Sequence, residues 1–355
     1  MTQRRVVSKA AFVSVAMGVS LFVLAGTARA TTSSPASFTA TKPPVVSGIV
    51  EVSTPGELVY IDQNQNSYLD SDIDLTNNIS LFGYSGWVPL GGNSYGPYSG
   101  TFNGEGHIIT SLVVNDTTDT STNSAVGFFG EATGTIENLG INASVTSTGY
   151  GSVGVLAGFA STVTDSFSNG SVSGGDSTGG LVGLLQGDIT NSYSTASVSG
   201  TDILGGLVGQ QAGSITNAYA TGRVSNTAES GGLVGFQQLF ASTSGSFFDA
   251  QTTGQSNGVS GPSPLGSGTG ETTANMKKAS TFTGSPANWD LTSTWGINPT
   301  INNGYPYLQS FYPNGVQGQL PEVPFAGALP FIGVAGAGAF LFARKRKNGN
   351  RFTTN

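Results

Sequence analysis

The sequence predicts an all-β fold, a β-solenoid wound in coils of about 26 residues. Three observations carry that expectation. Gly-Gly-Leu-Val-Gly occurs at 179–183, 205–209 and 231–235, twice at a step of 26. A second motif repeats in phase with it. Asp188-Ile189-Thr190-Asn191-Ser192-Tyr193 returns as Ser214-Ile215-Thr216-Asn217-Ala218-Tyr219, and one period earlier it reads Thr162-Val163-Thr164-Asp165-Ser166-Phe167. Each unit holds short β-prone pieces split by Gly, Ser, Asn or Asp, and none has helical periodicity.

Stacking the periods in register places like residues above one another, about 4.8 Å apart. Leu156, Leu181, Leu207 and Leu233 form one inward column. Val163, Ile189 and Ile215 form a second, and Val172, Val198 and Val224 a third. Phe167, Tyr193 and Tyr219 make an aromatic ladder, while Asp165, Asn191 and Asn217 take a turn position suited to Asx side chains. One coil cannot bury its own apolar face, so several must stack.

The elements follow in chain order. Residues 1–30 read as a secretory signal peptide: Arg4, Arg5 and Lys9, an apolar stretch, then Ala28-Arg29-Ala30 with cleavage after Ala30. Residues 31–48 are rich in Ser, Thr and Pro and predict a mobile leader. The solenoid is expected over 49–250. Near its start, Thr54-Pro55-Gly56-Glu57 has an N-cap Thr, an N1 Pro and a capping-box Glu, so a short helix should cover the first coil. Residues 251–285 read as a linker with a short helix, 286–310 as a C-terminal segment holding Trp289, Trp295 and NNGYPYL, and 311–322 as a spacer. Residues 323–343 carry no charge and precede Arg344-Lys345-Arg346-Lys347. About 20 apolar residues span a bilayer, so this predicts a membrane helix with a basic cytoplasmic tail over 344–355.

Composition narrows the function. The chain has 53 Gly in 355 residues, no Cys, one His and only 9% charged residues. Disulfide scaffolds, thiol nucleophiles and sites built on two imidazoles are excluded. Between residues 31 and 322 stand four basic residues against twenty acidic ones, a balance of −16 that repels nucleic acid.

The GGLVG, I-T-N-x-Y and G-x-V pieces together resemble the GLUG motif. The copies lie at 179–198, 205–224 and 231–248, with a looser one at 154–172. In the third copy Ser246-Phe247-Phe248-Asp249 stands in for I-T-N-x-Y, which suggests that the stack ends near 250. The resemblance is to bacterial surface proteins, including adhesins and the non-catalytic parts of IgA-cleaving zinc metallopeptidases. It implies a right-handed parallel β-helix and an extracellular role, but no particular ligand. The C-terminus is similar to a Gram-positive sorting signal through Leu320-Pro321-Glu322, yet it lacks the Thr-Gly pair a sortase cleaves. Plain membrane anchoring is therefore the expectation, with wall linkage as the alternative.

Candidate chemistry is sparse. His107 lies in Gly104-Glu105-Gly106-His107-Ile108, with Glu105 as a nearby carboxylate, and the resemblance places it in a structural turn. Asp70, Asp72 and Asp74 alternate. On a strand they would share a face and could hold Ca²⁺, or they could simply cap turns. No H-E-x-x-H is present, so the peptidase zinc site of GLUG-bearing enzymes does not carry over. Arg223 is the sole Arg in 31–322, at a repeat position taken by Ser171 and Ser197 in other coils. Tyr84, Trp87, Tyr95 and Tyr98 could stack on sugars or pack a loop on the early coils.

The expected function is a non-catalytic cell-surface display protein, adhesin-like or part of the envelope or a biofilm. It would bind extracellular polysaccharide, a matrix protein or a cell-surface protein along an extended face, with no cofactor beyond Ca²⁺. The alternative is a carbohydrate-active β-helix enzyme, a polysaccharide lyase or a glycoside hydrolase.

Overall fold

A computed structural model describes residues 38–312 except 93–94, 117–123, 150, 226–228 and 262–267. The signal peptide with its cleavage point at Ala30, the Leu320-Pro321 motif, the 323–343 span and the basic tail lie outside the described residues. Among the described residues no helix is long and apolar enough to cross a membrane.

The fold is a β-solenoid of about eight coils. Ordered pairing begins before residue 49. Val45–Val46 pairs antiparallel with Ile49–Val52, and Ser47 and Gly48 between them both have positive φ, as a two-residue hairpin turn requires. Helix α1 (Pro55–Gln63) follows with the expected capping box. Thr54 Oγ1 accepts from Glu57 N–H at 3.3 Å, and Glu57 Oε2 accepts from Thr54 N–H at 2.9 Å. The helix lays Leu58, Val59 and Ile61 in the core of the first coils.

From Ile49 onward the coil-to-coil pairings among the described residues are parallel, with register shifts at a few corners such as Asn103/His107 and Ala132/Thr135. The column Val50, Ile73, Phe102, Ile136, Val163, Ile189, Ile215 runs through the molecule and is fully buried. A second column, Val114, Val145, Val172, Val198, Val224, lines another face. A third, Leu90, Phe129, Ala157, Val182, Val208, Val234, closes the cross-section. Leu156, Leu181, Leu207 and Leu233 are each 0% exposed beside it. Period-two alternation sends the residues between these columns outward.

One corner is built from ladders of special residues. Asn138, Asp165, Asn191 and Asn217 all have φ between 47° and 52°. Asn and Asp tolerate this left-handed region better than other side-chain-bearing residues. Their side chains reach along the stack: Asn138 Nδ2 donates to Asn103 Oδ1 at 3.2 Å, and Asp165 bonds Asn191. In the last full coil Gly245 takes the position, and a Cβ there would lie 2.5 Å from Asn217 Oδ1. The next residue inward is Ser166, Ser192, Ala218 and Ser246. Each of these hydroxyls donates to the carbonyl two residues back at 2.8 Å and accepts an N–H from the preceding coil. Ala218 interrupts that chain, leaving no hydroxyl to accept from Ser192 N–H.

The aromatic ladder comes next. Phe167 and Tyr193 stack at 4.9 Å with planes 7° apart, and Tyr193 and Tyr219 at 4.8 Å and 5°. Phe247 continues it in the next coil. These rings are buried because the chain returns to cover them. The strap from Met276 to Tyr312 sets Phe282 on Phe247, Trp289 and Trp295 on Tyr219, and Phe311 on Phe167. Tyr219 Oη donates to Pro306 O at 2.6 Å, and Trp289 Nε1 donates to Gly245 O at 2.7 Å. At the far end Ser310 O stands where a Cβ on Gly106 would be, 2.5 Å away, so the strap needs glycine there.

The stack, expected to end near 250, continues by a partial coil. Val259 pairs with Val234, and Thr269–Glu271 pairs with Phe247–Asp249. Helix α2 (Ala250–Thr253) precedes this coil and helix α3 (Ala279–Thr283) follows it. Residues 254–261 and 268–271 thus cover the apolar end of the last full coil, which a free linker would leave open to water.

The interior of these last coils is also partly polar. Gln211 and Gln237, both 0% exposed, continue the column begun by Ala132, Ala160 and Leu185, and Thr243 follows Ile215. Gln211 Nε2 donates to Gly213 O and Ser242 O, and Thr243 Oγ1 donates to Gln211 Oε1 at 3.1 Å.

Candidate functional site

On two faces of the regular coils most outward positions are short hydroxyl side chains in rows, while the third carries Phe159, Leu184, Gln210 and Phe236. On one face Thr164, Thr190, Thr216 and Ser244 form a row parallel to Thr162, Asp188, Ser214 and Ser242, with the buried column between them. Thr216 and Ser244 hydroxyls stand 3.3 Å apart, and Asp188 Oδ1 accepts from Ser214 N–H. On a second face Ser144, Ser171 and Ser197 form a row beside Thr146, Ser173 and Ser199. The rows repeat at the strand spacing, about 4.8 Å. Short hydroxyls both donate and accept, and they lose little rotamer freedom when a ligand orders them. Such a face suits a long polyhydroxylated partner.

The early coils carry a different outward row. Glu51, Asp74, Asn103 and Glu137 are in register. Partial burial raises the Asp74 carboxyl above its usual value, and Glu105, Asp72 and Glu51 add to that. Glu137 is raised by burial and by Glu105, Asp165 and Asp74. The three alternating aspartates have separate roles. Asp70 is exposed in a turn, Asp72 Oδ1 accepts from Thr101 N–H at 2.8 Å, and Asp74 belongs to the outward row. Among the described residues no three His, Cys, Asp or Glu side chains are grouped to hold a metal ion.

His107 follows a register irregularity at 104–106, where Glu105 and Gly106 both have positive φ. Burial lowers its pKa, while Glu105 pulls the other way. Glu105 accepts from the Asn103 side-chain amide and donates its N–H to Asn103 Oδ1, which is turn chemistry. Of the early aromatics, Trp87 stacks on Phe128 at 4.7 Å and donates to Phe128 O, and Tyr98 is 0% exposed. Tyr84 Oη donates to Asp62 Oδ2 at 2.6 Å. These three pack a loop on the early coils. Tyr95 is more exposed, at 37%.

The strap creates a cleft that sequence reasoning missed. It measures about 220 Å³ and lies where the turn at 300–303 passes Tyr193; Asn169, Thr195, Thr300, Asn302 and Asn303 line it with amides and hydroxyls. Asn302 Nδ2 donates to Tyr219 Oη and Pro306 O, which ties this turn to the aromatic ladder. The one sequence signal was the Asn-Asn-Gly run, whose three residues all have positive φ.

The comparisons with known proteins agree with the repeat. The family model described as the GLUG motif matches residues 174–199 and 201–225. Halomucin from Haloquadratum walsbyi is 34% identical over 147 residues. That alignment covers 39% of this chain and only 2% of Halomucin, so the chain matches a small part of that protein. A solved structure from Bacteroides ovatus, described as a candidate immunoglobulin A1 protease, superposes with a TM-score of 0.57 at 20% identity. It covers 74% of this chain and 92% of that one, and at such identity the likeness is of fold alone.

Proposed function

We propose that this GLUG-repeat chain is a non-catalytic display protein of the cell surface, which binds extracellular polysaccharide along the hydroxyl rows of its solenoid. The observation that carries the reading is the pair of in-register rows, Thr164, Thr190, Thr216, Ser244 and Ser144, Ser171, Ser197. They put regularly spaced donors and acceptors along the axis of a rigid stack. The GLUG match and the Halomucin likeness support a surface-associated role. Export by residues 1–30, anchoring by 323–343 and a right-handed winding complete the reading.

The test is a binding and turnover screen of the purified full chain on arrays of polysaccharides and matrix proteins, with and without Ca²⁺. Binding without release of reducing ends or unsaturated sugars is expected. A Thr190→Val, Thr216→Val double variant should weaken it about tenfold or more, since it removes two hydroxyls from the row without changing its charge. New reducing ends or unsaturated products would overturn the reading in favour of a lyase or hydrolase.

A further inference from the structure

Arg223 is the third residue of the row Ser171, Ser197, Arg223, and it opens on a groove of about 260 Å³ formed with the start of the partial coil. The opposite wall is the backbone and side chains of Gln251, Thr252 and Gly254, and Ser225 stands two residues along from Arg223. Several of these groups are already committed. Thr252 Oγ1 donates to Thr221 O at 2.7 Å, and Gln251 Oε1 accepts from Thr273 N–H at 2.9 Å. Both bonds hold the wall in place. The guanidinium and the Ser225 hydroxyl remain facing the groove as donors.

The charge pattern makes this position unusual. Of the other three cations in residues 31–322, Lys277 lies over the Tyr305 ring at 4.7 Å, Lys278 Nζ bonds Asn275 Oδ1, and Lys42 is exposed beside the first coil, far along the chain from this groove. Among the described residues Arg223 has no ion pair. An acid-rich chain has thus placed an exposed guanidinium, with no carboxylate against it, where its repeat otherwise places serine. A guanidinium presents a planar fork of donors that matches a carboxylate. The serine row leading to it would carry the uncharged hydroxyls of the same ligand.

We infer that this groove binds a carboxylate-bearing saccharide, a uronate unit of an acidic polysaccharide, with its carboxylate on Arg223 and its neighbours along Ser197 and Ser171. The inference rests on the polysaccharide reading above and adds the sugar class and the residue that selects it.

The experiment is calorimetric titration of the full chain with hexagalacturonate, with its fully methyl-esterified form, and with hexaglutamate, in about 0.15 M salt, which screens the chain's distant carboxylates beyond about 8 Å. The free acid should bind about tenfold or more tighter than the ester, as expected when a charge-assisted pair replaces a neutral contact. Arg223→Ser restores the residue of the neighbouring coils, so its thermal unfolding should match the parent. It should bring the acid down to the affinity of the ester. Arg223→Lys, a point charge without the fork, should fall between. Equal binding of acid and ester, or an acid preference that survives Arg223→Ser, would overturn the inference. So would hexaglutamate binding as tightly as the uronate, which would make this a peptide site. If acid and ester bind parent and variant all alike, only the groove assignment falls. If neither sugar binds and the polysaccharide arrays are also blank, the polysaccharide reading falls with it.

Discussion

The two halves of the solenoid solve the same stacking problem in different ways. In the column that starts at Val50, the early coils advance by 23, 29 and 34 residues through Ile73 and Phe102 to Ile136. The later ones advance by 27, 26 and 26 through Val163 and Ile189 to Ile215. The irregular half fills its interior with unlike rings: Phe102 meets Phe129 edge-on at 5.3 Å, and Phe128 meets Phe129 at 4.8 Å. It buries a carboxyl, Asp62, under its helix and shows carboxylates outside. The regular half repeats closely related residues at most ladder positions, shows hydroxyls on two faces, and needs the strap to cover its aromatic ladder. Repetition makes ladders possible because every coil offers the same partner to the next. Where the period breaks, each contact has to be made individually.

The largest expected effect tests the strap. Tyr219→Ala removes a ring stacked on Tyr193, touching Trp289 and Trp295, and bonded to Pro306 O. Denaturant unfolding should show a loss of about 3–5 kcal/mol, as for other large buried rings. Limited proteolysis should then cut within 286–312 before any part of the solenoid. Phe102→Ala should cost a similar amount and leave the strap protected. If both variants expose the strap equally, the two halves are one cooperative unit and the contrast fails.

The second effect separates the halves by pH. Burial raises the Asp62 pKa to about 6 from the usual 3.8, against the pull of its bonds from Tyr84 Oη and Val88 N–H. Folded Asp62 therefore holds a proton at a pH where the unfolded chain has released it. That contribution to stability is full below pH 3.8 and is lost as pH rises through about 6. The loss is about 3 kcal/mol at roughly 1.4 per unit. Asp62→Asn can still pair with both Val88 N–H and Tyr84 Oη. It should match the parent at low pH and exceed it at neutral pH in a thermal unfolding series. Identical pH profiles for the two proteins would refute the assignment.

The smallest effect sharpens the picture of the regular half. Ala218→Ser puts a hydroxyl between Ser192 and Ser246, able to donate to Thr216 O and accept from Ser192 N–H. A gain of about 0.5–1.5 kcal/mol is expected, the usual net worth of a buried hydrogen bond. No gain in chemical denaturation would mean that the Ser192 N–H is already satisfied.

Much of this architecture was legible in the sequence because it is periodic. A step of 26 fixes which residues stack, so the inward columns, the aromatic ladder and the Asx corner could be named before any coordinates. The helix at 55–63 was equally readable, since its capping box is a local pattern. The role of the Asx residues was only half read. Their value lies in tolerating positive φ and in bonding the neighbouring coil, more than in bonding their own backbone. Asp70, Asp72 and Asp74 show the limit of alternation as evidence. It assumes a strand, and the strand begins only at Ile73.

The sequence by itself therefore determined the repeat, its register and its inward columns, because each follows from local alternation copied at a constant interval. Only the tertiary structure decided the rest. Tyr219 and Pro306 are 87 residues apart, and Asp249 and Tyr305 are 56 apart. The strap, the cleft at Asn302 and the groove facing Arg223 depend on such single, unrepeated contacts. A contact made once leaves no period to read, and where it falls depends on how the whole stack buries its open corner and its last apolar edge.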